Sequence, residues 1–276
     1  MRPQGALLNC DASAIRLRNL SRRYTTPGGA AFTAVEDIKL DVAAGTFVSI
    51  VGPSGCGKTT ILNIIAGLLE PSDGLVEIFG QPLVGINRRA AYVFQQDALL
   101  PWKTLTDNIA LGPQLRGLAI QEARERALEW VGRVGLSEFA NHFPDQLSGG
   151  MRKRAALAQA WIVKPDLMLM DEPFGALDVH TRLRMEAEIL SLWRRNRETI
   201  VFVTHDLEEA ISLSDQVVVM SAGPGSQVVG VYCIDLPRPR NLIDMKTEPH
   251  FIELYRTIWK ALKGEVLKSY GPISEA

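Results

Sequence analysis

TFVSIV at residues 46–51 runs into GPSGCGKT at residues 52–59, and TTILNIIAGL at residues 59–68 follows. An unbroken apolar run, a glycine-rich bend and an apolar-periodic segment predict a buried strand, a tight loop and a helix. That is the context a G-x-x-x-x-G-K-[ST] match needs to be a phosphate-binding loop. Gly52, Gly55 and Gly57 let the backbone wrap an anion without Cβ clashes, so its N–H groups and the helix N-terminus face the phosphate. Lys58 places a point charge on the β- and γ-phosphates, and the Thr59 hydroxyl can ligate Mg²⁺. Pro53, Ser54 and Cys56 complete the loop and Thr60 lies just beyond it. The stretch reads as a nucleoside-triphosphate site.

The chain has 276 residues, 46% of them hydrophobic, which is enough for a large core in one or two domains. A formal net charge of -1 gives no bulk attraction to nucleic acid or anionic lipid. Cys10, Cys56 and Cys233 are scattered without metal-ligand spacing, as in a reducing compartment. The apolar stretch near the N-terminus is too short for a secretory signal, and no run of about 18 apolar residues occurs, so a soluble chain is expected.

Outward from the loop, residues 1–13 read as a leader and residues 15–42 as strands, with bends at 25–29 and 43–45. Strand–helix alternation starts at residue 46, as in an α/β domain with a mainly parallel sheet. Residues 75–79 and 91–94 read as strands, and the character turns helical between 96 and 164. In residues 121–134, Ala123, Ala127, Val131 and Val134 share one helical face, and a second helix is expected to open at Ser148. Strand-like runs return at 167–170, 199–203 and 216–220.

PDLMLMDEP at residues 165–173 is an apolar strand ending in two carboxylates. It delivers Asp171 to the strand's C-terminal tip, where open α/β sheets bind ligands. There Asp171 can hold Mg²⁺ through water while Glu172 faces the γ-phosphate. LSGGM at 147–151 precedes a helix, and its Ser hydroxyl and bare N–H groups suit a second phosphate. Two anion sites far apart in sequence invite a sandwich of two copies.

The phosphate loop, Gln95 after an aromatic strand end, LSGG, Asp171–Glu172, GALD at 175–178 and THD at 204–206 occur in the order and spacing of ABC transporter ATPase subunits, which the chain resembles over residues 14 to 235. The resemblance implies a P-loop NTPase core with an N-terminal antiparallel part, spanning 14–240; the residue pattern itself reads as an inserted helical subdomain at about 96–164 and a helical extension at 241–276. The resemblance also implies hydrolysis of Mg²⁺-bound ATP. Tyr24 resembles the aromatic that stacks on adenine, and Gln95 the residue joining Mg²⁺ and the attacking water to the membrane partner. Ser148 and Gly150 resemble the contacts to the other subunit's γ-phosphate, Asp178 the loop residue crossing the dimer interface, and His205 the switch on the γ-phosphate. The implied partners are a second copy, two permease subunits and, indirectly, a solute-binding protein, at the cytoplasmic face of the cell membrane.

Met151 stands where the general signature has Gln, and Gly175 where many members have Ser. Both changes resemble one importer branch, that of nitrate, alkanesulfonates and taurine, as do DALLPW at 97–102, TDNIA at 106–110 and LPRPR at 236–240. DALLPW reads equally as core packing or as part of a groove for a permease helix. RKR at 152–154 and RLRNLSRR at 16–23 read as solvated faces or charges beside phosphates, not as a nucleic-acid surface. His142, His180 and His250 lack metal-like spacing. A DNA-repair or ribosomal ABC ATPase is a rival reading, but sustained heptads or a second cassette are lacking, and a P-loop kinase would leave LSGG and THD unexplained. Finally, Phe251, Tyr255, Ile258, Trp259, Leu262 and Val266 predict an amphipathic helix over 251–268. Its stripe either packs on the chain's own core, the favoured reading because a free stripe would promote aggregation, or meets a second subunit or permease.

Overall fold

The computed structural model describes residues 13–25, 29, 31–96, 98–175 and 177–270. Most of the expected leader, most of the bend at 25–29, Asp97, Ala176 and residues 271–276 lie outside these. Strand β1 (Ser13–Thr25) pairs antiparallel with β2 (Ala31–Ala43). Strand β3 (Phe47–Val51) leads into helix α1 (Lys58–Ile65), followed by β4 (Asp73–Ile78), β5 (Gln81–Pro82) and β6 (Ala90–Val93). Helices α2 (Leu105–Leu115), α3 (Ile120–Arg133) and α4 (Gly149–Trp161) come next. Then β7 (Leu167–Asp171), α5 (Val179–Asn196), β8 (Thr199–Val203), α6 (Leu207–Leu213), β9 (Gln216–Met220), β10 (Val228–Cys233) and α7 (Pro249–Tyr270) complete the order.

Two sheets result. One is antiparallel, in the order β2-β1-β4-β5; the other runs β10-β9-β3-β8-β7-β6 and is parallel except at β10. The parallel strands are continuous apolar runs because both faces are covered. Strand alternation divides them between two cores. Phe47, Val51, Met168, Met170, Ile200, Phe202, Val217 and Val219 face a core shared with α2 to α7. Val48, Ile50, Leu167, Leu169, Val201, Val203, Val218 and Met220 face the other, shared with α1 and the antiparallel sheet. The sheet is thus a partition, with the phosphate loop at the tip of its central strand.

Ala123, Ala127, Val131 and Val134 are buried, as their periodicity predicts. Helix α7 opens with Pro249, whose missing N–H costs nothing at a first helical position. Phe251, Ile258 and Leu262 join the core beneath β9. The buried line continues to Glu265, so Trp259, about 100° away on the wheel, is 40% exposed and stacks on Tyr255. No helix among the described residues is long and apolar enough to cross a membrane.

Candidate functional site

The phosphate loop needs its glycines for room as well as for freedom. A Cβ on Gly52 would lie 2.7 Å from Cys56 Sγ and 2.9 Å from Met220 Cβ. Gly57 has φ +85° and precedes α1 with no side-chain cap, so the first N–H groups of α1 stay open to an anion. Lys58 is buried, and its Nζ folds back to donate to the Gly52 and Pro53 carbonyls at 2.9 and 3.1 Å. Those carbonyls hold the ammonium where an incoming phosphate meets the loop. Ser54 and Thr59 are exposed at its lip, beside partly buried Thr60.

Across the loop, the Thr59 hydroxyl donates to Asp171 Oδ1 at 3.1 Å, and the Tyr92 side chain also hydrogen-bonds Asp171. Burial pushes the Asp171 carboxyl up from its ordinary range; the Thr59 hydroxyl opposes this and the Glu172 charge adds to it. A buried carboxylate beside a threonine hydroxyl and a phosphate loop is a donor set that fits a hard divalent cation. Burial, then the Asp171 charge, pushes the Tyr92 hydroxyl up as well, so it stays a donor.

Glu172 adopts φ +43°, rare for a side chain with a Cβ, and its N–H donates to the Val203 carbonyl at 2.9 Å. Its Oε2 accepts from Gln95 Nε2 at 3.2 Å and lies 3.4 Å from His205 Nδ1. These three residues follow the C-terminal ends of β6, β7 and β8, which are neighbours in the sheet. The fold therefore gathers Gln95, Glu172 and His205 on one carboxylate oxygen at the rim of the loop. A Cβ on Gly175 would meet the Glu172 carbonyl oxygen at 3.7 Å, an ordinary contact, so the absence of Ser there reflects no lack of space.

Ser148 and Gly150 belong to a different place. Ser148 caps α4, its Oγ accepting from the Met151 N–H at 3.3 Å. Asp178 caps α5, accepting from the His180 and Thr181 N–H groups at 3.1 and 3.0 Å, and bonding to Thr181 holds its carboxyl below the ordinary range. These residues line one cavity of ≈ 640 Å³ with Leu177 and Thr181; no phosphate-loop residue lines it. Gly150 is where α4 meets α5, since a Cβ there would lie 2.8 Å from Thr181 Cγ2. Tyr24 stays on the antiparallel sheet, with the Arg22 guanidinium 4.8 Å from its ring centre.

One expectation is corrected. The cations at 152–154 are not a solvated face. Lys153 is buried and donates to the Gln95 carbonyl at 2.5 Å; Arg152 donates to the Leu147 carbonyl and Arg154 to that of Val134, at 2.6 and 3.0 Å. Lys153 is in helical phase with buried Leu157 and Trp161, a signal that the charge of the run concealed. It ties the helix of Ser148 to the loop of Gln95. Arg182, also unanticipated, reaches Asp206 and Glu209 at 3.3 and 3.4 Å, steadying the helix that follows His205. The LPRPR arginines hold that helix's other end. Arg238 donates to the Leu213 carbonyl and to Asp215 at 2.8 and 2.7 Å, and Arg240 to the Ile211, Ser212 and Ser214 carbonyls at 3.2, 3.0 and 2.8 Å. Burial, with the Arg238 charge, pulls the Arg240 guanidinium down to about 10.

The family model described as ABC transporter matches residues 35–175. Taurine import ATP-binding protein TauB of Yersinia pestis is 45% identical over 195 residues, covering 71% of this chain and 76% of that protein. The chain belongs to the ABC transporter family. As a member it binds and hydrolyses ATP, on a P-loop NTPase fold. Bicarbonate transport ATP-binding protein CmpC of Synechococcus elongatus is 40% identical over 242 residues, 87% of this cassette but 36% of that longer protein. Among solved structures, the dimeric bacterial ABC transporter cassette MJ0796 superposes with a TM-score of 0.72 at 34% identity, covering 81% of this chain and 100% of that one. The same cassette is also known bound to ADP and Pi.

Proposed function

We propose that this cassette is the ATP-hydrolysing subunit of an importer, driving uptake of a small solute of the nitrate, sulfonate or taurine kind through a separate permease. The likeness to the taurine and bicarbonate subunits supports this reading. Residues 14–240 act as the cassette, 96–164 as its helical part and 241–276 as an extension, held by the permease at the cytoplasmic face of the membrane. Trp102, 71% exposed on a turn that Asn108 holds by its hydrogen bonds to Leu100 and Lys103, is offered to the permease.

The observation that carries the catalytic reading is the single Glu172 oxygen shared by Gln95 and His205. In hydrolysis a water oxygen bonds to the γ-phosphorus as the bond to the β–γ bridging oxygen breaks. Positioning and charge neutralisation supply most of the acceleration. Glu172 orients that water and takes its proton. Lys58 and His205 bring donors to the γ-phosphate oxygens. Thr59, Asp171 and Gln95 would hold Mg²⁺, which when bound draws charge from the phosphate oxygens. The Ser148–Gly150 terminus and Asp178, set apart in their own cavity, serve the site of a second copy, so two cassettes close head to tail around ATP. The dimeric solved cassette supports that arrangement.

Glu172→Gln tests it. The variant keeps the shape of the site but loses the base, so turnover drops about a hundredfold or more while ATP still binds. Light scattering then shows an ATP-dependent doubling of mass. A variant that binds ATP, stays slow and remains monomeric refutes the two-copy closure; one that turns over normally refutes the role of Glu172.

A further inference from the structure

We propose that the C-terminal helix α7 sets the affinity for nucleotide, with Glu265 as a positioning residue for the phosphate loop; this rests on reading residues 52–59 as the ATP site. Glu265 lies on the buried line of α7 and is 7% exposed. Its Oε2 accepts from the Ala222 N–H at 2.9 Å, and Lys268 Nζ donates to its Oε1 at 2.7 Å. One oxygen of the carboxylate stays within α7, on Lys268, and the other leaves the helix. That second oxygen holds the backbone of the turn that leaves β9.

That turn is the wall behind the phosphate loop. Met220, the last residue of β9, fills the space a Gly52 side chain would need. Gly223 lies against the loop so closely that a Cβ there would sit 3.3 Å from the Gly55 carbonyl oxygen and 3.9 Å from Cys56 Cα. The far side of the turn is tied to β2: Gly225 N–H donates to the Thr33 carbonyl at 2.7 Å and Ser226 N–H to that of Ala34 at 3.2 Å. Val35, between these and Glu36, in turn abuts Gly57, where a Cβ would lie 2.5 Å from its Cγ1. Beyond its own closure, where the Ser221 N–H donates to the Gln227 carbonyl at 2.8 Å, the turn is moored at two points. One is the strand β2; the other is Glu265.

A loop that binds phosphate through N–H groups depends on their being fixed before the ligand arrives. Loosening the wall weakens contacts made alike in the ground and transition states, which raises KM and leaves kcat unchanged. A merely structural Glu265 has no such signature.

The test compares Glu265→Leu, which fills the volume without an acceptor, with Glu265→Gln, which keeps an acceptor for the Ala222 N–H. ATP turnover, binding of a fluorescent ATP analogue and thermal melting are measured on each, with Lys58→Ala beside them. Expected is a rise of about fivefold or more in KM and Kd for Glu265→Leu, with kcat within about twofold, and near-native values for Glu265→Gln. If Glu265→Leu does not fold, Lys268→Met withdraws the cation from the same carboxylate without altering the buried line, and a smaller KM rise at constant kcat is expected. Unchanged KM in the folded variants overturns the proposal, as does a parallel loss of kcat and stability that Glu265→Gln shares. Should Lys58→Ala itself hydrolyse ATP normally, the underlying reading of the loop fails instead.

Discussion

Glu186, on α5, is 1% exposed, and its Oε2 has no hydrogen-bond partner among the described residues. Burial raises its carboxyl from 4.5 to about 7; the Glu209 and Asp206 charges add to this, while Lys246 and Arg182 oppose it. Between those two values the native chain keeps a proton that the unfolded chain has released. The folded state binds more protons there, so stability falls as pH rises through this window and levels off above it. A shift of that size corresponds to about 3 kcal/mol, at about 1.4 kcal/mol per unit. Glu186→Gln removes the ionisation while keeping the shape. In differential scanning calorimetry without nucleotide, the variant is expected to match the parent near pH 4, below the window. By pH 8 it should melt about 6–12 °C higher, given roughly 2–4 °C per kcal/mol for a chain of this size. A difference independent of pH, or a variant that melts lower at pH 8, would refute the reasoning.

Truncation after Arg240 removes Leu242, Met245, Phe251, Ile258 and Leu262 from the core. At about 2 kcal/mol for each buried side chain, the loss rivals the whole stability of a domain, so soluble folded protein is not expected on gel filtration and circular dichroism. Lys153→Met keeps the packing of the side chain but cuts α4 from the Gln95 carbonyl. It should lower kcat about tenfold or more with a melting temperature within a few degrees of the parent; a folded variant with unchanged turnover means that the tie plays no part in catalysis.

What was legible beforehand was local. Unbroken apolar runs such as 167–170 and 199–203 announce buried strands, and the phosphate loop and the Asp171–Glu172 pair carry their chemistry in adjacent residues. Helix α5 is hard to read in the sequence although Met185, Ile189 and Trp193 recur at helical spacing, because its many arginines and glutamates mask the stripe. Contacts between a side chain and distant backbone were not legible. Nothing near Lys153 announces the carbonyl of Gln95, and nothing near Glu265 announces Ala222. Such ties pair a side chain with backbone, which every residue possesses, so no residue type at the receiving end marks them. Trp259 shows the opposite error: an aromatic on the expected stripe, displaced outward because a buried carboxylate continues the line.

The place of β3 in the sheet also constrains the order in which the site can come into being. Its two neighbours are β8 and β9, with Val48 opposite Val201 on one side and Gln216 on the other. As the chain leaves the ribosome, the strand bearing the phosphate loop waits for some 150 further residues, about 10–30 s at ordinary rates of synthesis, before either edge is paired. Until then the loop has no fixed base, and ATP has nothing to grip. The nucleotide is therefore a guest of the finished cassette and no help in its assembly, and a nascent chain stalled before β8 leaves β3 an apolar strand with two open edges, a substrate for chaperones.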